Sequence, residues 1–111
     1  MKIHLSDQKC VACEGGIPPL THEEIEKYKP EIPGWSVTED ELSIFREFKF
    51  KNFKEAITFA DTVGDIAEEE GHHPVLTVRW GKVGILLTTD AISGLSDNDF
   101  ILAAKIDKIT T

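Results

Sequence analysis

The sequence contains one long helical pattern that ends at a pair of adjacent histidines. Apolar or small residues recur with helical spacing over about 53–70, and acidic residues gather on the opposite face. Gly71 stands where a helix commonly ends with a left-handed residue. Pro74 forces the residue before it toward extended dihedrals. The pattern therefore predicts a long helix, a turn that holds His72 and His73, and a strand after Pro74.

Capping signals and alternating runs give the remaining elements. A Ser, Thr or Asn followed three residues later by an acid satisfies the free backbone N–H groups at a helix start. The chain has three such sites: Thr21-x-x-Glu24, Asn52-x-x-Glu55 and Ser96-x-x-Asp99. Between them, β-rich runs predict two hairpins, over about 34–50 and 75–89. The predicted order is α-β-β-α-β-β-α, a single α+β domain over 1–111. Its four-stranded antiparallel sheet should carry the helices on one face, and residues 1–20 should be irregular.

The second predicted hairpin determines what lies beside the histidines. With Gly81-Lys82 as the turn, Trp80 faces about Val83. Counting outward from that turn brings Asp90 back beside the start of the first strand. We therefore expect Asp90 to lie close to His72 and His73.

Composition excludes several classes of partner. The chain has 111 residues, 41% of them hydrophobic, and a formal charge of −8. Acidity disfavours nucleic acid, because phosphate binding depends on clustered Lys and Arg. No apolar run approaches the roughly 20 residues of a membrane span, and no signal peptide is evident. We expect a soluble, cytoplasmic protein with no membrane partner, in which Cys10 and Cys13 are two reduced thiols in a loop.

Two adjacent histidines in a turn suggest proton-transfer chemistry. The unperturbed pKa of histidine, about 6.5, lies nearest neutral pH among side chains. The alternative is a polar turn with two exposed imidazoles. The surrounding residues favour the chemical interpretation, because Glu68 precedes His72 by one helical turn and Asp90 returns beside the pair.

Taken together, these positions strongly resemble the pterin-4a-carbinolamine dehydratase family. The shared pattern comprises an acid, His-His-Pro, an aromatic residue, usually a third histidine, and an Asp at the start of the last helix. In this sequence the corresponding residues are Glu68, His72, His73, Pro74, Trp80, Asp90 and Asp99. The resemblance covers nearly the whole chain. It implies an enzyme that dehydrates 4a-hydroxytetrahydropterin to quinonoid dihydropterin, without a metal or organic cofactor.

The resemblance also implies roles for individual residues. Catalysis is expected from His72, His73, Asp90 and Glu68. Substrate binding is expected from His72, His73, Pro74, Thr89, Asp90 and Asp99. Helix capping and surface exposure are equally good accounts of Asp99 and Glu68. A homodimer or homotetramer is expected as well, since an open sheet leaves edges that a partner can cover.

Asp90 is where the sequence departs from the family pattern, which usually has histidine there. An unperturbed aspartate, with a pKa of about 3.9, is ionised at neutral pH and accepts hydrogen bonds. Asp90 is therefore expected to orient one imidazole or the substrate. Two histidines and a carboxylate also form the ligand set of a non-haem metal site, a less favoured alternative. A second alternative is a binding or assembly factor of the RuBisCO-assembly or molybdopterin-linked type.

Overall fold

The structure, a computed structural model, describes Leu5 and residues 18–109. Nearly all of the predicted irregular segment, with Cys10 and Cys13, lies outside these residues. The prediction for the two thiols therefore stays a prediction.

Three α-helices and four strands follow one another in the predicted order, which confirms the α+β fold class. The helices are α1 (His22–Tyr28), α2 (Phe53–Glu70) and α3 (Asp97–Lys108). The strands are β1 (Ser36–Val37), β2 (Ile44–Lys49), β3 (Val75–Arg79) and β4 (Lys82–Leu87). Short 3₁₀ turns occupy Lys29–Glu31 and Asp90–Ile92. Among the described residues, no helix has both the length and the apolar character needed to cross a membrane.

The strands form one antiparallel sheet in the order β1-β2-β4-β3. Its inner face carries the core, where Ile44 lies opposite Leu87 and Phe48 opposite Val83, all four buried. The buried faces of α2 and α3 complete this core. The alternation of strand side chains leaves the outer face open to solvent, where Val75 is 58% exposed. One layer of helices therefore covers one side of the sheet, as predicted.

The β3-β4 hairpin turns one residue earlier than the sequence analysis predicted. Arg79 pairs with Lys82 and Val78 with Val83, so the turn is Trp80-Gly81 and the predicted pairing of Trp80 with Val83 is wrong. Gly81 has a φ of 71°, a left-handed conformation that suits glycine. Because Gly81 occupies the turn position that requires a positive φ, Lys82 lies outside the turn and is the first residue of β4.

Candidate active site

The two histidines lie in a four-residue link between α2 and β3. Gly71 ends α2 with a φ of 67°, and its N–H bonds to the carbonyls of Ala67 and Glu68. The N–H of His72 returns to the Ala67 carbonyl at 3.2 Å. Since β3 begins immediately after Pro74, both ends of the link are fixed. The helix stop and the strand start thus hold the imidazoles in place.

The chain returns to these histidines through the connection between β4 and α3. A pair of backbone hydrogen bonds joins Thr89 to Gly94, with Thr89 N–H to Gly94 O at 2.9 Å, and closes a tight loop. Gly94 packs so tightly that an added Cβ would lie 2.7 Å from the Cβ of Pro19. Asp90 opens the 3₁₀ turn inside this loop. The loop therefore has a fixed shape that presents Thr89 and Asp90 toward one side.

The link and the loop face each other across a cleft of about 240 Å³. Residues 71–73 form one wall, 88–91 form the other, and Asn98 of α3 completes the lining. The structure thus brings Asp90 beside both histidines despite the shifted hairpin turn. A larger cavity of about 620 Å³ lies along the start of α2 and contains no histidine. The smaller cleft is the better candidate because it holds the groups that can transfer protons.

His72 points inward and pairs with a buried carboxylate. Its Nε2 lies 2.6 Å from Oδ1 of Asp99, and the two side chains are 12% and 0% exposed. Asp99 is the third residue of α3. The sequence left two roles open for it, capping the helix or taking part in the site. It serves as both, because Oδ2 accepts a hydrogen bond from the Ser96 backbone N–H at 2.9 Å. His72 is therefore held by a group that is itself locked to the start of a helix.

Thr89 lines the cleft, and its hydroxyl donates a hydrogen bond to the same carboxylate. Its Oγ1 lies 2.8 Å from Asp99 Oδ2 and 2.8 Å from Ser96 Oγ. All three side chains are buried. Every polar atom of the group has a partner, since no buried side-chain nitrogen or oxygen in the described residues lacks a hydrogen bond.

His73 points the other way and pairs with Glu68. Its Nε2 makes a very short contact with Oε2 of Glu68, four residues before His72 on the last turn of α2. Both side chains are largely exposed, at 62% and 77%. Successive side chains of an extended segment project to opposite sides, which explains why neighbouring histidines have different partners. Glu68 therefore contacts a residue of the cleft, His73, without lining the cleft itself.

Asp90 differs from the other two acids of the site, because its carboxylate pairs with no described residue. It is exposed and lines the cleft, while the imidazoles are paired with Asp99 and Glu68. Asp90 was expected to orient either an imidazole or the substrate. The described contacts do not show it bonded to an imidazole. Its carboxylate is available to a molecule in the cleft.

Besides Glu68 and Asp99, which pair with the histidines, two further residues of the family pattern lie outside the cleft lining. Pro74 is half-buried and leads into β3, so its contribution is to fix the histidine link. Trp80 is 71% exposed at the far end of the hairpin. Within the described residues, no three His, Cys, Asp or Glu side chains are placed to hold a metal ion.

Sequence reasoning missed two polar side chains of the cleft lining. Asn98 is buried between two helix-start acids, and nothing in the spacing distinguishes it from an ordinary first-turn residue. Thr88 precedes the predicted Thr89, and its hydroxyl bonds to the Leu42 carbonyl at 2.6 Å. That bond ties the loop to the β1-β2 hairpin, a long-range contact that no local signal announces.

Known proteins resemble the chain over nearly its full length. The family model described as pterin 4 alpha carbinolamine dehydratase matches residues 18–109. A protein of Rubrobacter xylanophilus, provisionally named pterin-4-alpha-carbinolamine dehydratase, is 45% identical over 95% of this chain and 97% of its own. A protein of Alkaliphilus metalliredigens with the same provisional name is 48% identical over 95% of each chain.

Solved structures agree with the fold. A transcriptional coactivator/pterin dehydratase from Brucella melitensis superposes with a TM-score of 0.78 and 29% identity, covering 84% of this chain and 99% of that one. A pterin dehydratase-like protein, identified as a RuBisCO assembly factor in the alpha-carboxysome, gives 0.59 and 22% identity over 68% and 88%. At that identity the second likeness concerns the fold alone.

Proposed function

Because the chain belongs to the pterin 4 alpha carbinolamine dehydratase family, we propose that it dehydrates a 4a-hydroxytetrahydropterin to a quinonoid dihydropterin. One observation carries this proposal beyond family membership. A single cleft holds two imidazoles, each paired with its own carboxylate, beside an unpaired aspartate. This arrangement provides the separate acid and base that the reaction needs.

The proposed reaction breaks the bond between ring carbon 4a and its hydroxyl oxygen. An acid protonates the departing hydroxyl, which leaves as water, and a base removes one proton from the pterin ring. The two transfers cancel, so no oxidant, reductant or metal enters the balance. Positioned acid–base groups typically accelerate such a step about 10²–10⁴-fold.

The histidines are the proposed acid and base. His73, on the open side of the cleft, pairs with Glu68 and forms an ion pair with it when protonated, which suits a proton donor. His72, held by Asp99 inside the protein, suits the complementary role. Asp90 accepts a hydrogen bond from a ring N–H or amino group and so orients the pterin.

A dehydration assay with synthetic 4a-hydroxytetrahydropterin tests the proposal. The wild-type protein should exceed the uncatalysed rate, and His72→Ala or His73→Ala should lose most of that excess. His22→Ala is the matched control, because His22 also pairs with a carboxylate but lies in α1, outside the cleft. Its rate should equal that of the wild type.

Asp90→His separates the enzyme from the alternative, a binding or assembly factor. If the wild type does not exceed the uncatalysed rate while Asp90→His does, the enzyme proposal fails. A binding role of the kind described for the RuBisCO assembly factor of the same fold then becomes the better account. If the wild type is active, Asp90→His should mainly alter KM, because the proposed role of Asp90 is in binding.

We also propose that the protein acts as a homodimer or homotetramer. The edge of β3 has no strand beside it among the described residues, and apolar Val75 and Phe45 are exposed on the outer sheet face. Unpaired edges and exposed apolar side chains are surfaces that a second copy can cover. Light scattering coupled to size exclusion should give a mass of two or four chains, and a monomer would contradict the proposal.

A further inference from the structure

A chain of buried hydroxyl groups leads to the carboxylate behind His72. Ser96 Oγ lies 2.8 Å from Thr89 Oγ1, which lies 2.8 Å from Asp99 Oδ2. Ser96, Thr89 and Asp99 are 7%, 3% and 0% exposed. Two elements are joined here, because Thr89 follows β4, whereas Ser96 caps α3 and Asp99 lies in its first turn.

With Asp99 as an ionised carboxylate, the direction of each hydrogen bond in this chain follows. An ionised carboxylate only accepts, so Thr89 must spend its single hydroxyl hydrogen on Asp99. The Thr89 oxygen is then an acceptor, and Ser96 must donate to it. Oδ2 also accepts a hydrogen bond from the Ser96 backbone N–H. The contact between Oδ1 and His72 is the third hydrogen bond of the carboxylate, and in it too the carboxylate is the acceptor. His72 therefore carries its hydrogen on Nε2.

The other ring nitrogen of His72 is left for the cleft. Nδ1 has no hydrogen bond to the described residues, and it is not a buried atom without a partner. His72 lines the cleft, so Nδ1 is open to a molecule bound there. With the hydrogen on Nε2, Nδ1 presents a lone pair.

We propose that Thr89 and Ser96 are positioning residues that hold Asp99 as a hydrogen-bond acceptor and so fix His72 as the Nε2–H tautomer, with Nδ1 the proton acceptor of the reaction. The assignment of a reaction to Nδ1 rests on the proposed function. The tautomer itself depends only on the contacts around Asp99.

Loss of the Thr89 hydroxyl should disturb the tautomer by a specific route. Oδ2 would keep one donor in a site that water does not reach, and a buried acceptor without its partner is costly. The carboxyl group can relieve that cost by taking up one proton from solvent, which it would then donate in a hydrogen bond to Nε2. His72 would consequently move its hydrogen to Nδ1 and lose the free lone pair in the cleft.

¹⁵N NMR of protein labelled at histidine measures the tautomer of His72 directly, because protonated and unprotonated ring nitrogens have well-separated ¹⁵N shifts. The His72 signals are assigned by their absence in His72→Gln, at a pH where the ring is neutral. Wild-type protein should show the Nε2–H form. A wild-type spectrum with the hydrogen on Nδ1 would overturn the proposal without any variant being made.

Variants of the two hydroxyls supply the second measurement. Thr89→Val should shift the His72 population toward Nδ1–H and lower kcat roughly tenfold with little change in KM, the scale of one lost hydrogen bond to a charged group. Thr89→Ser keeps the hydroxyl and should restore both the spectrum and kcat to within about twofold. Ser96→Ala removes the outer donor together with the side-chain oxygen that caps α3, and its effect on the spectrum should be smaller than that of Thr89→Val. Thr77→Val, on the outer face of β3, is the control and should change neither the spectrum nor kcat.

The outcomes separate this inference from the proposed function. If the wild type is inactive on the pterin but the tautomer responds to Thr89→Val and recovers in Thr89→Ser, the positioning role stands and the proposed reaction fails. If the wild type is active and folded Thr89→Val leaves the spectrum unchanged, the positioning role fails and the reaction stands. Should Thr89→Val not fold, the wild-type spectrum and Ser96→Ala still decide.

Discussion

Two neighbouring histidines of this protein are held by carboxylates in opposite settings. The His72–Asp99 pair is enclosed by α3 and the loop after β4, and Asp99 has no exposed surface. The His73–Glu68 pair lies on the surface, where both partners face water. Coulomb attraction is screened at a surface and much less so inside a protein. One dipeptide thus provides a rigidly oriented imidazole, that of His72, and an adaptable one, that of His73.

The largest test of the comparison is Asp99→Asn. The amide has one oxygen where the carboxylate has two, so its NH₂ faces at least one of the donors from Ser96, Thr89 and His72 and leaves it without an acceptor in a site with little exposure. We expect a loss of about 3 kcal/mol in the free energy of unfolding. The dehydration rate should fall on the order of 10²-fold, because the His72 tautomer is no longer fixed. Urea denaturation and the dehydration assay measure the two effects.

Asp97→Asn is the matched control, since it removes the same charge from the same helical turn. Asp97 is exposed, and among the described residues its side chain accepts only from the Tyr28 hydroxyl, at 2.9 Å. It should cost less than about 1 kcal/mol and leave the rate unchanged. Equal losses in the two variants would show that charge at the start of α3, and not burial, determines the effect.

The second test moves the loop that supports only the buried pair. In Gly94→Ala the new Cβ would lie 2.7 Å from Pro19, so the loop must shift. We expect a loss of about 2 kcal/mol in stability, and a lower dehydration rate because Thr89 is bonded to Gly94. Gly64→Ala, in α2, meets nothing within 4 Å and should be neutral or stabilising by up to about 1 kcal/mol. An unchanged rate in Gly94→Ala would contradict the coupling of loop and site.

The third test is Glu68→Gln, which breaks the exposed pair. Because both partners face solvent, stability should change by less than about 1 kcal/mol. The dehydration rate should fall less than tenfold, since water can replace the lost contact to His73. Glu69→Gln, one residue along α2, controls for the lost charge and should change neither quantity. A stability loss as large as that of Asp99→Asn would remove the distinction between the pairs.

The smallest test uses a third histidine pair, which has no part in the cleft. A hydrogen bond to Glu41, with Nδ1 2.5 Å from Oε2, together with the charge of that carboxylate, raises the pKa of exposed His22. An NMR titration should place the His22 midpoint above about 6.5, and Glu41→Gln should lower it. Glu26→Gln, whose charge lies 3.7 Å away, should lower it less.

The same pair gives a small pH dependence of stability with a defined sign. Because folding raises the pKa of His22, its contribution is fully present below about pH 6.5 and is lost as pH rises through the raised value. The melting temperatures of wild type and Glu41→Gln should therefore differ at acidic pH and converge at alkaline pH. A gap that widens with pH would contradict the assignment.

Local signals were sufficient to predict most of the fold. The apolar period after Asn52 and the glycine at 71 fixed the bounds of α2, and the capping spacing placed Asp99 at the start of α3. The hairpin turn was misplaced by one residue because Gly81 is acceptable at either position of a two-residue turn. Only the left-handed φ of Gly81 in the folded chain decides between them.

The sequence predicted that His72, His73 and Asp90 lie close together, but it did not predict which side chains they bond to. Hairpin pairing and the family resemblance brought His72, His73 and Asp90 to one place. The partner of His72 was not evident, because its contact with Asp99 spans 27 residues and depends on how α3 docks. The sequence left Asp90 two roles, orienting an imidazole or the substrate. Only the folded structure shows that Asp99 pairs with His72 and that Glu68 pairs with His73.

The distance in sequence between His72 and Asp99 has a consequence for folding. Before α3 docks, a chain can have formed α2 and the β3-β4 hairpin and so hold both histidines in place. In that chain His72 lacks its contact with Asp99, and the Ser96 hydroxyl is not yet near the site. Contacts that close such long loops form late, because their entropy must be overcome first. Fixation of the His72 ring is thus a marker of completed folding, and its recovery during refolding should coincide with the protection of α3 amides from hydrogen exchange.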